Sequence, residues 1–118
     1  VKPHIVYSHW EADLNIDHAM VARAVRTAIA RRPEIKEVYA CEVLSSTEWA
    51  QEAFNPTYFV DIKPYLETKL EAFRCYETEI REFPHPRSEE GIRALAKYRG
   101  MQCGREAAEG FEVVRVVI

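Results

Sequence analysis

The chain has 118 residues, 47% of them apolar, and a net charge of −3. That is the length of one domain with enough apolar material for a core, and interspersed charges of both signs give no electrostatic case for nucleic acid or an anionic membrane surface. No apolar run approaches the roughly 18 residues of a membrane helix and no signal-peptide pattern opens the chain, while Cys41, Cys75 and Cys103, odd in number and far apart, fit reduced thiols in a cytoplasmic protein rather than a disulfide framework or a CxxC metal site.

In chain order, "HIVYSH" is short, β-branched and aromatic, which predicts a strand. A polar turn from Trp10 to Ile16 follows. Val21, Ala22, Val25, Ala28 and Ile29 then recur at helical spacing, with Asn15 as N-cap, Asp17 and His18 in the first turn, and Arg31, Arg32 and Pro33 at the stop. "EVYACEVL" is the next strand. Strand, helix and strand at that distance make a βαβ unit with parallel strands. "TYFVDI" predicts a further strand, and Pro64 sits where a first helical turn tolerates it. Leu66, Leu70, Phe73 and Ile80 predict a helix of about four turns at that spacing. Ser88 caps a last helix striped by Ile92, Leu95, Ala96 and Cys103, in which Gly100 and Gly104 point to a closely packed backbone. Gly110 is expected to end that helix, and "FEVVRVVI" forms the final strand.

The expected fold is therefore α/β, with one domain over residues 1–118. The chain opens at Val1, just before an apolar strand, and closes at Ile118 inside another, which reads as a piece of something longer.

In open parallel sheets, sites form in the loops beyond the carboxyl ends of the strands. "DLNIDH" (Asp13 to His18) and "SSTEW" (Ser45 to Trp49) are two such loops, expected to face one crevice. A histidine at a helix start can offer a neutral nitrogen to zinc while a nearby carboxylate orients it or adds a second ligand. On these residues alone the plain reading, a polar loop that caps a helix, stands beside the metal reading. His9 ends its strand toward the same crevice, where it could reach a ligand; the plainer reading is a satisfied histidine near the core. Ser46 and Glu48, with Ser45 and Thr47, could bind sugar hydroxyls and Trp49 could stack on a sugar ring; the same residues also suit a polar turn with an anchored aromatic. "PHPRS" carries His85 and Arg87 into a helix N-terminus, a place suited to an anion or simply a stiff, capped connection. Arg99 reads as a helix-face cation before a substrate clamp. No dinucleotide fingerprint, phosphate loop or nucleophile elbow occurs.

Taken together, "DLNIDH", "YACEVLSSTEW", "NPTYFVDI", "KLEAFRCYETEIREFPHPRSEEGIRALAKYRG" and "AAEGFEVVR" resemble the LmbE-like (PIG-L) family of zinc-dependent deacetylases, in order along nearly the whole chain. The resemblance implies a Rossmann-like, mostly parallel sheet flanked by helices, incomplete at its N-terminal side, and removal of an N-acetyl group from an N-acetylglucosamine-type substrate. It implies His18 as a zinc ligand, with Asp17 as its motif neighbour and Asn15 standing where many members have a histidine that acts as acid or electrostatic partner. The family's "AHPDDE" segment, with two metal ligands and the catalytic aspartate, is absent here. The resemblance thus implies the C-terminal half of such an enzyme, inactive alone; the alternative is a non-catalytic sugar-binding or assembly module. The expected partners are an acylated amino sugar and further copies of the chain, since an apolar edge strand invites pairing, with no nucleic acid and no membrane.

Overall fold

The computed structural model describes residues 1–118. The apolar run after His4 forms β1 (Ile5–His9), the periodic segment forms α1 (Ile16–Ile29), and β2 (Glu37–Cys41) follows. β1 and β2 are parallel, paired from Ile5↔Glu37 to His9↔Cys41, as a strand–helix–strand connection requires. Next come β3 (Tyr58–Asp61), α2 (Leu66–Arg74), α3 (Glu89–Cys103) and β4 (Ala108–Val116).

The strands form one four-stranded sheet in the order β1-β2-β4-β3. β4 runs antiparallel to β2, with an irregularity between Val38 and Tyr39. The bonds from Thr57 N–H to Phe111 O and from Ile62 N–H to Ala107 O pair rising with falling residue numbers, so β3 and β4 are antiparallel as well. β1, β2 and β3 thus point one way and β4 the other. One helix between strands returns the chain in parallel; the two helices between β3 and β4 add a reversal, which turns β4 around. The α/β architecture expected from the sequence is present, with helices flanking the sheet, but the sheet is mixed and not mostly parallel: β1–β2 is its one parallel pairing, and both pairings of β4 are antiparallel. No helix is long and apolar enough to cross a membrane.

The chain falls into two compact units, Val1–Tyr58 with Phe111–Ile118, and Phe59–Gly110. In the first, Ile29, Ile35 and Val38 form a core cluster against which Val6 and Val25 pack. This is the inward stripe of α1 meeting alternate residues of β1 and β2. Trp10 is buried edge-on to Phe54, with ring centroids 5.4 Å apart. Arg115 donates to the carbonyls of Ile29, Arg32 and Ile35 and so satisfies the C-terminal end of α1 and the turn after it. On the other face of the sheet Tyr39 stacks on Tyr7 and on Tyr58, at 5.4 and 4.4 Å. The Tyr39 hydroxyl donates to Glu37 at 2.5 Å, and that bond, with burial and the Glu37 charge, pushes its pKa above the usual phenol range.

In the second unit Ile62, Ala96 and Ala107 cluster with Leu66, and Leu70 is wholly buried. α2 and α3 are clipped by two bidentate ion pairs, Arg93 with Glu67 (2.5 and 2.8 Å) and Arg74 with Glu89 (2.6 and 2.7 Å). Three expectations are corrected here. α2 stops at Arg74 and does not reach Ile80, because the apolar stripe lapses at Glu77 and the chain enters successive turns from Cys75 onward. The end of α3 is marked by Gly104, at φ 71°, whereas Gly110 lies within β4. Of Gly100 and Gly104, the pair expected to mark a close contact, Gly100 alone does so: a Cβ there would meet the Arg105 carbonyl oxygen at 2.5 Å, while one on Gly104 would meet nothing within 4 Å.

Candidate metal-ligand site

The polar stretch after β1 is a cap with a carboxylate behind it. Asn15 takes extended backbone geometry and its Oδ1 accepts from Asp17 N–H at 2.9 Å and His18 N–H at 3.4 Å, which starts α1 as expected. Asp17 stands exposed in the first turn, where the helix dipole favours a carboxylate. The carboxylate that faces His18 is a different one. Asp13, with its side chain 1% exposed, places Oδ1 at 3.2 Å from His18 Nδ1.

The loop after β2 closes on the same group. Thr47 Oγ1 donates to Asp13 Oδ2 at 2.6 Å and accepts from Val43 N–H at 2.7 Å. Asn15 N–H donates to Asp13 Oδ1 at 2.9 Å. Ser46 Oγ donates to the Val43 carbonyl at 3.2 Å and lies 3.4 Å from His18 Nδ1. Ser45, at φ 75°, occupies the left-handed region that makes this tight turn possible, and its N–H is held by Glu48 at 2.7 Å. The loops beyond the carboxyl ends of β1 and β2 thus meet, as their place in a parallel pair predicted.

Burial alone would raise the Asp13 pKa, but hydrogen bonds from the Thr47 hydroxyl and the Asn15 amide, with the nearby His18, outweigh it and hold the carboxyl below its ordinary range. His9 stacks flat on His18, with centroids 4.1 Å apart and planes 8° from parallel. Burial, then the neighbouring His18, lowers the His9 pKa against the opposing pull of Asp13, and His9 Nδ1 is buried without a hydrogen-bond partner. A neutral His9 can lie against a second imidazole without charge repulsion.

The remaining site residues predicted from sequence separate into those that remain available and those used internally. Trp49 is 69% exposed, so it is not an anchored aromatic; that place belongs to Trp10. Glu48 is exposed but spends one carboxylate oxygen on the turn. Ser46 is buried and engaged, so its hydroxyl does not face outward. In the second unit His85 Nδ1 accepts from Arg87 N–H at 3.0 Å, Arg87 is paired with Glu79, and Ser88 caps α3 by accepting from Gly91 N–H. Arg99 is buried and bonds Gln102 at 2.8 Å, so it is no helix-face cation. Sequence reasoning left open whether Asp13 or Asp17 backs His18 and missed Thr47 as the partner of Asp13. The signal available was the paired loop positions; the side-chain geometry was not.

A catalytic zinc takes three protein ligands. No group of three or more His, Cys, Asp or Glu side chains converges in this structure. The residues present supply one histidine with its carboxylate backing, and do not by themselves fit a zinc centre.

No family model matches the chain. Over 60 residues, 51% of this chain, the sequence is 39% identical to a diacetylchitobiose deacetylase from Thermococcus kodakarensis, and the match spans 22% of that relative. The sequence likeness is to a deacetylase. The fold is similar to the crystal structure of the conserved protein TT1542 from Thermus thermophilus, with a TM-score of 0.75 at 20% identity, covering 99% of this chain and 54% of that one. That second likeness is one of fold alone. The chain therefore spans about half the length of the solved structure, and the matched stretch about a fifth of the curated relative.

Proposed function

We propose that the chain is one part of a metal-dependent deacetylase of the LmbE/PIG-L type, acting on the N-acetyl group of an N-acetylglucosamine-type sugar. The observation that carries this reading is the His18 ring: it opens α1, lies flat against His9, and has Nδ1 turned to a buried carboxylate. A metal-ligating histidine is commonly held in this way, by a carboxylate on its other nitrogen. The deacetylase likeness supports the reaction class. In this reading zinc is held by His18 together with ligands from outside these 118 residues, which also bring the catalytic carboxylate, and the chain alone is inactive.

The roles of the other residues follow the same proposal. Asn15 keeps its amide nitrogen as a donor toward substrate while its oxygen caps α1, and Asp17 is the acidic neighbour of the ligand. Trp49 offers an exposed ring face to a sugar, with Glu48 beside it. We also propose His85, through the ring nitrogen not bonded to Arg87 N–H, and the Arg87 guanidinium beside its Glu79 pair as contacts for a polar group. We place the protein in the cytoplasm, where its three free cysteines stay reduced. A second copy is the proposed partner of β1, which lies at the sheet edge and carries no charged residue or proline from Ile5 to His9; a monomer by light scattering at micromolar concentration would refute that part.

The test of function is release of acetate from N-acetylglucosamine oligosaccharides by the chain alone, and by the chain mixed with a polypeptide carrying the "AHPDDE" segment. The expected result is no turnover alone, turnover in the mixture, and its loss on His18→Ala. Turnover by the chain alone that survives His18→Ala refutes the reading. Sugar binding without turnover in the mixture would instead assign a non-catalytic binding role.

A further inference from the structure

We infer that Thr47 and Asp13 are positioning residues that fix the His18 ring with its proton on Nδ1 and its Nε2 lone pair facing outward. Thr47 Oγ1 accepts the Val43 N–H at 2.7 Å, so its own proton is directed to Asp13 Oδ2 at 2.6 Å. Asn15 N–H, a donor that cannot rotate away, binds Asp13 Oδ1 at 2.9 Å. The carboxylate is pinned at both oxygens and its side chain is 1% exposed, which leaves water little access.

An ionised carboxylate only accepts, so whatever faces it must donate. The facing atom is His18 Nδ1, at 3.2 Å from Oδ1. Ser46 leads to the same assignment. Its hydroxyl proton goes to the Val43 carbonyl, so the lone pairs of Ser46 Oγ, 3.4 Å from Nδ1, are what the ring meets. The opposite tautomer would set the Nδ1 lone pair against oxygen lone pairs from both residues. His9, stacked at 4.1 Å, holds the ring plane. Which nitrogen of a histidine can bind a metal is set by the bond its other nitrogen makes. Here that bond is set by Thr47, a residue on a different loop, acting through Asp13.

Presentation of Nε2 to a metal rests on the deacetylase reading above; the tautomer does not. The experiment is long-range proton–nitrogen correlation NMR on the metal-free full chain, at a pH where the ring is neutral, with the His18 signals assigned by their loss in His18→Gln. In the wild type Nδ1 is expected as the protonated nitrogen, and this spectrum tests the central claim without any substitution. Asp13→Ala is expected to move the proton to Nε2 in most molecules, the form imidazole prefers in water. Thr47→Val is expected to lower the Nδ1–H share, and Thr47→Ser, which keeps the hydroxyl, to restore it. A wild-type ring protonated on Nε2, or an Nδ1–H share unchanged in Asp13→Ala, overturns the inference. A Thr47→Val spectrum identical to wild type removes Thr47 from the device. An Nδ1–H wild-type ring together with an inactive mixture would defeat the deacetylase reading and support this one.

Discussion

Thr47→Val keeps the shape of a buried side chain and removes one hydroxyl, which makes its cost countable. Two bonds go: the one accepted from Val43 N–H at 2.7 Å and the one given to Asp13 Oδ2 at 2.6 Å. A bond to a backbone amide contributes about 0.5–1.5 kcal/mol and one to a charged group about 1.5–3 kcal/mol, so the substitution should cost about 2–4.5 kcal/mol in total. Only the second share involves Asp13. In a double-mutant cycle with Asp13→Ala, measured by urea unfolding with tryptophan fluorescence, the coupling should therefore be about 1.5–3 kcal/mol, because the bond can be lost only once. Thr47→Ser should retain the coupling and lose about 1 kcal/mol for its methyl group. A coupling below about 0.5 kcal/mol, the usual limit of additivity, would show that Thr47 does not hold Asp13 in solution.

Gly100→Ala should destabilise by about 1–3 kcal/mol through its clash with the Arg105 and Ala107 backbone, offset in part by about 1 kcal/mol of helix preference, whereas Gly104→Ala meets open space and should cost about 1 kcal/mol of left-handed backbone strain; thermal melts in which Gly100→Ala is more stable than the wild type would refute the close contact. The Asp13 carboxyl is held below its ordinary value of 3.8, so its contribution to stability is complete above that pH and is lost as pH falls through the lower folded value. Urea titrations of wild type and Asp13→Ala should thus converge as pH drops below about 4 and stay parallel at higher pH; parallel curves throughout would count against the shift. Equilibrium dialysis should find no tightly held zinc on the isolated chain, since only His18 is placed as a ligand, and one tightly bound ion that is lost on His18→Ala would overturn that expectation.

Elements with a local cause were legible in the sequence. The Asn15 and Ser88 caps, the βαβ pair, the turn at Pro64 and the final strand all follow from residues within a few positions of one another. The misreadings came where a local pattern persists but its packing does not. Ile80 keeps helical spacing with Phe73, yet Glu77 interrupts the stripe between them. Gly104 and Gly100 look alike in sequence, and only the path of the chain after α3 separates a cap from a close contact. The site shows the same division. That the loops of Asp13 and Thr47 meet follows from parallel strands; that Asp13 rather than Asp17 faces His18 depends on side-chain directions within one helical turn.

The two ion pairs between α2 and α3 do more than hold these helices together. Glu67 meets Arg93 and Arg74 meets Glu89, with the sign of charge reversed from one pair to the next. Four residues separate the α3 partners, close to one helical turn. If α3 slid by one turn in one direction, Glu89 would arrive opposite Glu67; in the other, Arg93 would arrive opposite Arg74. Either slip sets like charge against like. The pairs therefore act as a key with two teeth: α2 and α3 can dock at the native offset, and a one-turn misalignment in either direction is repelled before Leu70 and its neighbours can pack.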